Sequence, residues 1–550
     1  MREILYIQAG NLSNHIGTHF WNTQQEYFTY DEDEPVVTLN DISFRQGLSP
    51  RGEETFCPRL LLFDRKANFG ALRRTNALYA EDEDAESLWT GEVSEFRQPP
   101  IEPSSYQARL AAGEDPTPAP QTDDQDPSSE KVAEPLRSTD LRYWSDYNRL
   151  YYHPRTIQAL PDVADWENVD GNWSLGKQTF DRFNADTSLM EEPFRQFVEE
   201  CDALQGLHLT TEVSAFGSFT SSLLSAFRDE YGTKPSTLTF PILSNARPGH
   251  IDVDDYIGIR NAVNDVLCLR SLNELSTMNV PLQNPDLWRT GSWSEQLNFD
   301  SRSAYETSAI LSAHLETATL PLRIKGELVS LTDLCTKVNY DGNTPFAELN
   351  GLLPLTSNAF ASDEALRRGM MNFSGFNMQE DDVVVPIYRW DIIRGASEQG
   401  KKKYSDFELP SSISSLFTAT TYPLPSSYPS IFSPSSLTTS KRGILAATPS
   451  TPRPLPTSIS LLSSFTLSPS GLPALFSNYA TFLDKCVKRK VDWEAVGAGD
   501  AIDGDEVKEL RDEMWVLADG FGVREGGEES ELGEDEERGK QWEEDMIDED

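Results

Sequence analysis

Short apolar runs alternate with amphipathic stretches through the first half of the chain. Residues 4–7 (Ile-Leu-Tyr-Ile) are apolar without alternation, the pattern of a strand buried on both faces. Gln8, Ala9 and Gly10 make a small, turn-prone exit from it. Asn11 and Ser13 are N-cap residues for a helix along which Ile16, Phe20 and Tyr27 recur at roughly helical spacing. Residues 58–64 read as a second buried strand, ended by the carboxylate of Asp64. A turn-rich loop is expected at 170–176, then a helix with Phe194, Phe197, Val198 and Cys201 on one face. Residues 204–209 read as a strand, 214–220 as a small-residue loop, 221–231 as a helix and 237–243 as a strand.

This alternation predicts an α/β fold with a doubly wound, mostly parallel sheet. Ligands of such sheets sit outside the carboxyl ends of the strands, so the loops after Ile7, Phe63 and Leu209 are expected to converge. A strand that turns into a helix N-terminus also suits an anion, because unpaired N–H groups and the helix dipole point at it.

At 550 residues the chain is too long for one core. The pattern divides it into 1–97 and 138–285 (the α/β domain), 286–408 (a second, α+β domain) and 458–520 (a strand and C-terminal helices). Between them, 98–137 is an acidic Pro/Ser-rich insertion, expected to be disordered because it lacks the apolar surface to offset ordering entropy. Residues 31–35 read as an acidic turn. Residues 409–457 are rich in Ser, Thr and Pro but keep Phe417, Tyr422, Tyr428 and Phe432, so partial packing is expected, with 439–457 least ordered. Residues 458–465 read as a strand, 472–490 and 505–517 as helices, and 521–550 as an acidic disordered tail.

The formal net charge of −42 argues against nucleic acid as a direct partner and against adhesion to anionic lipid. Five scattered cysteines without CxxC spacing read as reduced thiols, with no disulfide frame and no zinc site. No apolar run approaches eighteen residues and no signal or presequence pattern is seen, so a soluble cytosolic polypeptide without a transmembrane segment is expected. His15 and His19 share a helix face at i, i+4, but no third ligand accompanies them, and they read as packing or surface residues. Asp64 reads as a turn cap rather than a metal ligand. Gly17 inside a helix points to close helix–sheet packing.

Several blocks in order resemble tubulin: Met1-Arg-Glu-Ile with Gln8-Ala-Gly10 and Asn14-x-Ile-Gly17; Pro58-Arg with Leu62-Phe-Asp64; Asn172-Trp173 with Gly176; and Cys201-Asp-x-Leu-Gln-Gly206 with Leu209-Thr210. Arg228-Asp-Glu-Tyr231, residues 458–464, Lys488-Arg489 with Trp493, and the acidic tail extend the match. The resemblance implies a tubulin/FtsZ-like fold and a vestigial guanine-nucleotide pocket at Gln8, Gly10, Asn11, Asp64, Asn172, Gly217, Ser218 and Thr220. The departures bear on activity. Only Gly217 remains where tubulin's phosphate loop is nearly all glycine, and Phe216 and Phe219 are expected to plug the pocket. Asp64-Arg-Lys66 also replaces a carboxylate of the metal side with a cation. GTP is the cofactor the resemblance brings with it; the degenerate loop points instead to no cofactor, no catalytic residue and no resident metal.

With the insertion and the Tyr-Pro-Leu-Pro-Ser-Ser-Tyr-Pro segment at 422–429, the chain is similar to the Misato family of tubulin-related proteins. That similarity implies a non-enzymatic role in mitochondrial distribution and morphology and in inheritance of mitochondria and their DNA. The implied location is the outer mitochondrial surface and the cytoplasm. The implied partners are proteins: tubulin, the cytosolic chaperonin or outer-surface proteins of mitochondria. A polymerising GTPase and a tubulin or chaperonin assembly factor are the alternatives.

Overall fold

The apolar run near the N-terminus forms strand β1 (Glu3–Ala9), buried along its whole length. The protein is described from a computed structural model covering residues 2–28, 36–48, 52, 54–72, 101–113, 136–160, 173–252, 254–326, 328–339, 342, 344–375, 386–406, 413–433, 458–468, 471–496 and 502–521. The acidic turn at 31–35, residues 114–135, Asn172, 376–385, 439–457 and the acidic tail lie outside the described residues. After β1 come helix α1 (Asn11–Gln25), an antiparallel hairpin of β2 (Phe44–Leu48) and β3 (Glu54–Pro58), and β4 (Leu60–Arg65). Helix α2 (Ser105–Ala111), β5 (Ile157–Leu160) and helix α3 (Trp173–Thr187) follow. Then β6 (Leu204–Glu212), α4 (Val213–Tyr231), β7 (Ser236–Ile242), α5 (Tyr256–Leu275) and β8 (Met278–Asn279) complete the α/β part.

These strands form one parallel sheet in the order β5-β4-β1-β6-β7-β8. Chain order reverses between β1 and β6, so the topological switch point of this doubly wound sheet lies at their carboxyl ends. Ile7 stands beside Leu61 on one side and Leu209 on the other, which makes β1 the centre of the core.

Three local expectations are corrected. Residues 214–220 are not a loop: α4 begins at Val213, directly after β6. One glycine among those seven residues leaves helix propensity largely intact, and burial of Phe216 and Phe219 adds roughly 2 kcal/mol each. Gly176 likewise lies inside α3 rather than in a loop. The front of the expected disordered insertion is ordered. Ser104 caps α2 by accepting from the Gln107 amide at 3.2 Å, and Tyr106 is buried in a cluster with Tyr147 and Tyr305.

Helix α6 (Ala304–Ala318), buried on nearly every side, packs on α1 and on a second sheet. That sheet is preceded by α7 (Leu331–Val338) and contains β9 (Glu348–Leu352), β10 (Met371–Asn372), β11 (Tyr388–Arg394), β12 (Ile413–Ala419) and β15 (Leu461–Leu467), in the order β10-β9-β15-β11-β12. Helices α8 (Asp363–Gly369) and α9 (Glu398–Asp406) belong to it, and β13 (Tyr422–Pro423) pairs with β14 (Ser458–Ile459). Two C-terminal helices, α10 (Gly471–Arg489) and α11 (Gly504–Asp519), pack on each other, and Tyr479 of α10 donates to Asp265 of α5 at 2.8 Å.

A buried polar knot joins the two sheets. Glu316 on α6 accepts from Gln24 at 2.9 Å and Tyr27 at 3.1 Å, both at the end of α1, and from Arg394 of β11 at 2.7 Å. Arg323 adds a contact at 3.4 Å, and Arg394 also donates to the carbonyls of Thr420 and Thr421. Glu316, Arg323 and Arg394 are almost fully sealed from solvent. Removing the carboxylate leaves two guanidinium groups buried without their counter-charge, which costs about 3–5 kcal/mol. Glu316→Ala is therefore expected to lower unfolding free energy by that amount in urea titration; a loss below about 1 kcal/mol would contradict the assignment.

Candidate functional site

The switch point is built by the ends of β1, β4 and β6 and by the first turns of α1 and α4. Gly10, between β1 and α1, has φ of +102°, a left-handed conformation that favours glycine. A Cβ there would also stand 2.7 Å from the Glu212 Cβ and 3.2 Å from the Phe216 ring. Asn11 and Ser13 do not cap α1, contrary to expectation. Asn11 is its exposed first residue, and the Ser13 hydroxyl donates to the Thr210 carbonyl at 2.7 Å, fastening α1 to β6. The capping role falls to Glu212, whose carboxylate accepts the Leu12 amide at 3.0 Å. The chain thus places its own carboxylate at the N-terminus of α1, where the helix dipole and free N–H groups favour negative charge. Burial raises the Glu212 pKa above its ordinary value, and the Leu12 amide opposes that shift.

Asp64 ends β4 fully buried, and four donors saturate it: Asn14 at 2.8 Å, Trp144 at 3.0 Å, Asn68 at 2.7 Å and the Arg65 amide at 2.8 Å. A carboxylate with both oxygens so engaged is a structural cap and offers little to a cation. Burial raises its pKa and these hydrogen bonds pull against it. Gln8 lies under α1, its amide where a Cβ on Gly17 would fall, at 2.0 Å; that contact is why the helix keeps a glycine there.

Of the other expected residues, Gly217, Ser218 and Thr220 lie within α4, and Asn172 is outside the described residues. Gly217 sits inside α4, where α3 and α5 come close: a Cβ there would stand 3.4 Å from Trp173 and 3.7 Å from Cys268. The Ser218 hydroxyl donates to the Trp173 carbonyl at 2.5 Å, and Thr220 to the Phe216 carbonyl at 2.9 Å. Phe219 packs among Phe63, Phe180 and Phe216, with ring centroids 5.3, 5.4 and 5.8 Å away. The structure therefore gathers Gly10 and Asp64 at one corner, aims Gln8 at α1, and leaves Ser218 and Thr220 satisfied within the helices. These residues do not fit a nucleotide diphosphate: a carboxylate holds the helix N-terminus, and a helix replaces the glycine loop that would wrap the phosphates. Glu212, Asn14 and Trp144 were missed by sequence reasoning. The signal for Glu212 was available, since a carboxylate closes the apolar strand β6 as Asp64 closes β4.

Residues 2–112 match the family model of the Misato Segment II tubulin-like domain, and residues 133–324 match that of the tubulin domain. Protein DML1 of Gibberella zeae is 37% identical over 358 residues, 64% of this chain and 67% of that protein. Protein DML1 of Phaeosphaeria nodorum is 32% identical over 422 residues, 74% and 76% of the two chains. The chain belongs to the Misato family of tubulin-like proteins. Protein misato of Drosophila melanogaster is 30% identical over 376 residues, 62% of this chain and 63% of that one.

In this Misato-family chain the groove between α1 and α6 is closed as well. His15 pairs with the Tyr147 hydroxyl at 2.8 Å, and His19 Nε2 with the Tyr305 carbonyl at 2.9 Å. The His19 ring lies 4.7 Å from that of Tyr147 and 5.3 Å from that of Tyr305. Among the described residues no group of three metal-ligating side chains occurs, and both histidines are packing residues. Burial pushes His15 down to about 4 and His19 to about 3. Both values lie below that of an unfolded histidine, about 6.5, so the neutral rings contribute stability that is complete above pH 6.5 and is lost as the pH falls toward 4. Each ring adds a slope that approaches about 1.4 kcal/mol per pH unit once the unfolded histidine is fully protonated. Urea titrations between pH 6.5 and 5 should show His15→Asn/His19→Asn flatter than the parent by about 2 kcal/mol per pH unit, and parallel slopes would refute it.

Proposed function

We propose that this protein is a non-enzymatic, tubulin-like organiser that works through protein partners. Its proposed role is in the distribution and morphology of mitochondria and in the inheritance of mitochondria and their DNA, acting at the outer mitochondrial surface and in the cytoplasm. The observation that carries the loss of nucleotide chemistry is Glu212: its carboxylate accepts the Leu12 amide at the N-terminus of α1, beside a Gly10 that has no room for anything larger. Phosphate at the same place would face a like charge, and α4 leaves no loop to neutralise it. The mitochondrial part of the reading is supported by the Misato-family membership. Its action on mitochondrial DNA is indirect, since a net charge of −42 opposes phosphate contact. Among the described residues no helix is long and apolar enough to cross a membrane; the proposed attachment to the mitochondrion is through a protein partner.

Purified protein is expected to carry no stoichiometric guanine nucleotide by chromatography of the acid extract, and to show no GTP turnover. One nucleotide per chain would overturn the non-enzymatic reading. Depletion in cells should disturb mitochondrial shape and inheritance on imaging, and normal mitochondria would overturn the organelle role.

A further inference from the structure

At the other end of the first sheet, where its parallel strands begin, three arginines from separate segments meet one carboxylate. Arg45 comes from β2, Arg59 stands directly before β4, and Arg155 lies two residues before β5. Glu200 follows the helical turn Arg195–Glu199 and leads toward β6. Glu200 Oε2 lies 3.1 Å from Arg45 Nε, and Glu200 Oε1 lies 3.9 Å from Arg155 Nη1. Arg59 is buried and donates to the carbonyls of Asp41 and Glu200, at 3.4 and 3.3 Å.

Glu200 leaves donors of these guanidiniums unused. Arg45 Nη1 is buried with no hydrogen-bond partner. The Arg155 side chain, 43% exposed, makes no hydrogen bond among the described residues, since 3.9 Å is too long for one. His153 adds a third donor: its Nδ1 accepts the Arg155 amide at 3.2 Å, so the neutral ring carries its proton on Nε2. Burial and the charges of Arg45 and Arg155 push that ring down to about 4, which keeps it neutral near pH 7. Both charges acting on it are positive, whereas at Cys201 the charge of Arg59 is set against Glu3, Glu200 and Asp202. The unbalanced side of the cluster is therefore the one shared by Arg45, His153 and Arg155, and Arg155 opens it to solvent.

We infer that Arg45, His153 and Arg155 form a phosphate site, which takes a phosphoryl dianion as the free ion or as a phosphomonoester. Planar guanidinium forks match the oxygens of a tetrahedral oxyanion, and the Nε2–H of His153 supplies a further donor. A dianion draws more from two guanidiniums than the single charge of Glu200, which engages Arg45 through one nitrogen. Glu200 is the resident competitor, so its charge tunes the affinity. In a chain of net charge −42 the site is a local exception, and it lies at the opposite end of the sheet from Glu212. It does not depend on the loss of nucleotide chemistry at the switch point.

The test uses the full chain at fixed ionic strength with two probes. Orthophosphate is titrated in a calorimeter against a chloride blank. A labelled, otherwise neutral peptide with one phosphoserine is followed by fluorescence anisotropy against its unphosphorylated form. Saturable binding of phosphate in at least one form is expected, with no binding of either blank. A phosphopeptide that binds at least ~10-fold tighter than orthophosphate assigns the site to a phosphorylated side chain of a partner; equal or weaker binding assigns it to the free ion. Arg155→Ala should weaken binding at least ~10-fold, because it removes a charged fork. Glu200→Gln should tighten it at least ~3-fold, because it removes a like charge and keeps the side chain's shape. Arg155 is exposed, and circular dichroism checks that both variants fold. Three results would each overturn the proposal. The first is no binding of either probe. The second is equal binding by Arg155→Ala, which would place the anion elsewhere on the chain. The third is binding no tighter in Glu200→Gln than in the parent, which would leave the cluster a purely structural ion pair.

Discussion

One carboxylate holds the two halves of this molecule in register. Glu316 projects from a helix with almost no solvent-facing side and meets the end of α1 on one flank and Arg394 of the second sheet on the other. Burying such a group is unfavourable unless every lone pair is used, and here Gln24, Tyr27, Arg323 and Arg394 use them. The arrangement has few solutions: shifting α1 by one turn, or β11 by one residue, would strand a charge in the core. That requirement fixes the angle at which the second sheet sits on the first and, through α1, the position of the switch-point corner.

At that corner the same rule, that buried polar groups find partners, has closed the site from within. Glu212 takes the N-terminus of α1, Asn14 and Trp144 take Asp64, and Ser218 and Thr220 turn to main-chain carbonyls. Phe219 fills the space between Phe63 of β4 and Phe180 of α3, and Phe216 is buried against it beside Gly10. A pocket of this ancestry left empty would expose orphaned donors and a void, each costing about 1–3 kcal/mol. On the proposed reading these residues remove both at once, and stability does not rest on a ligand.

The doubly wound sheet was legible because its strands are continuous apolar runs and its helices carry apolar stripes; β1, β4, β6 and β7 fall where those runs stand. Membership in a tubulin-like family was legible in the order of short motifs. The site was less so. Residues 214–220 look like a loop by composition, yet they are helical because Phe219 is buried by α3 and β4, partners distant in sequence, with Phe216 packed against it. Asn11 and Ser13 have the chemistry of caps, but the cap came from Glu212, two hundred residues away from Leu12. The ordering of residues 101–113 depended on Tyr147 and Tyr305, which no local window contains. Contacts set by neighbours in the chain were readable, and contacts set by neighbours in space were not.

The direct junction of β6 and α4 has a consequence for timing. In nucleotide-switched folds, loops held by a terminal phosphate loosen when it leaves, so the molecule counts time by its own chemistry. A strand that runs straight into a packed helix has no such slack, and on the proposed reading this chain carries no internal clock. When it acts must then be set from outside, by how much protein is present and by which partners are bound to it.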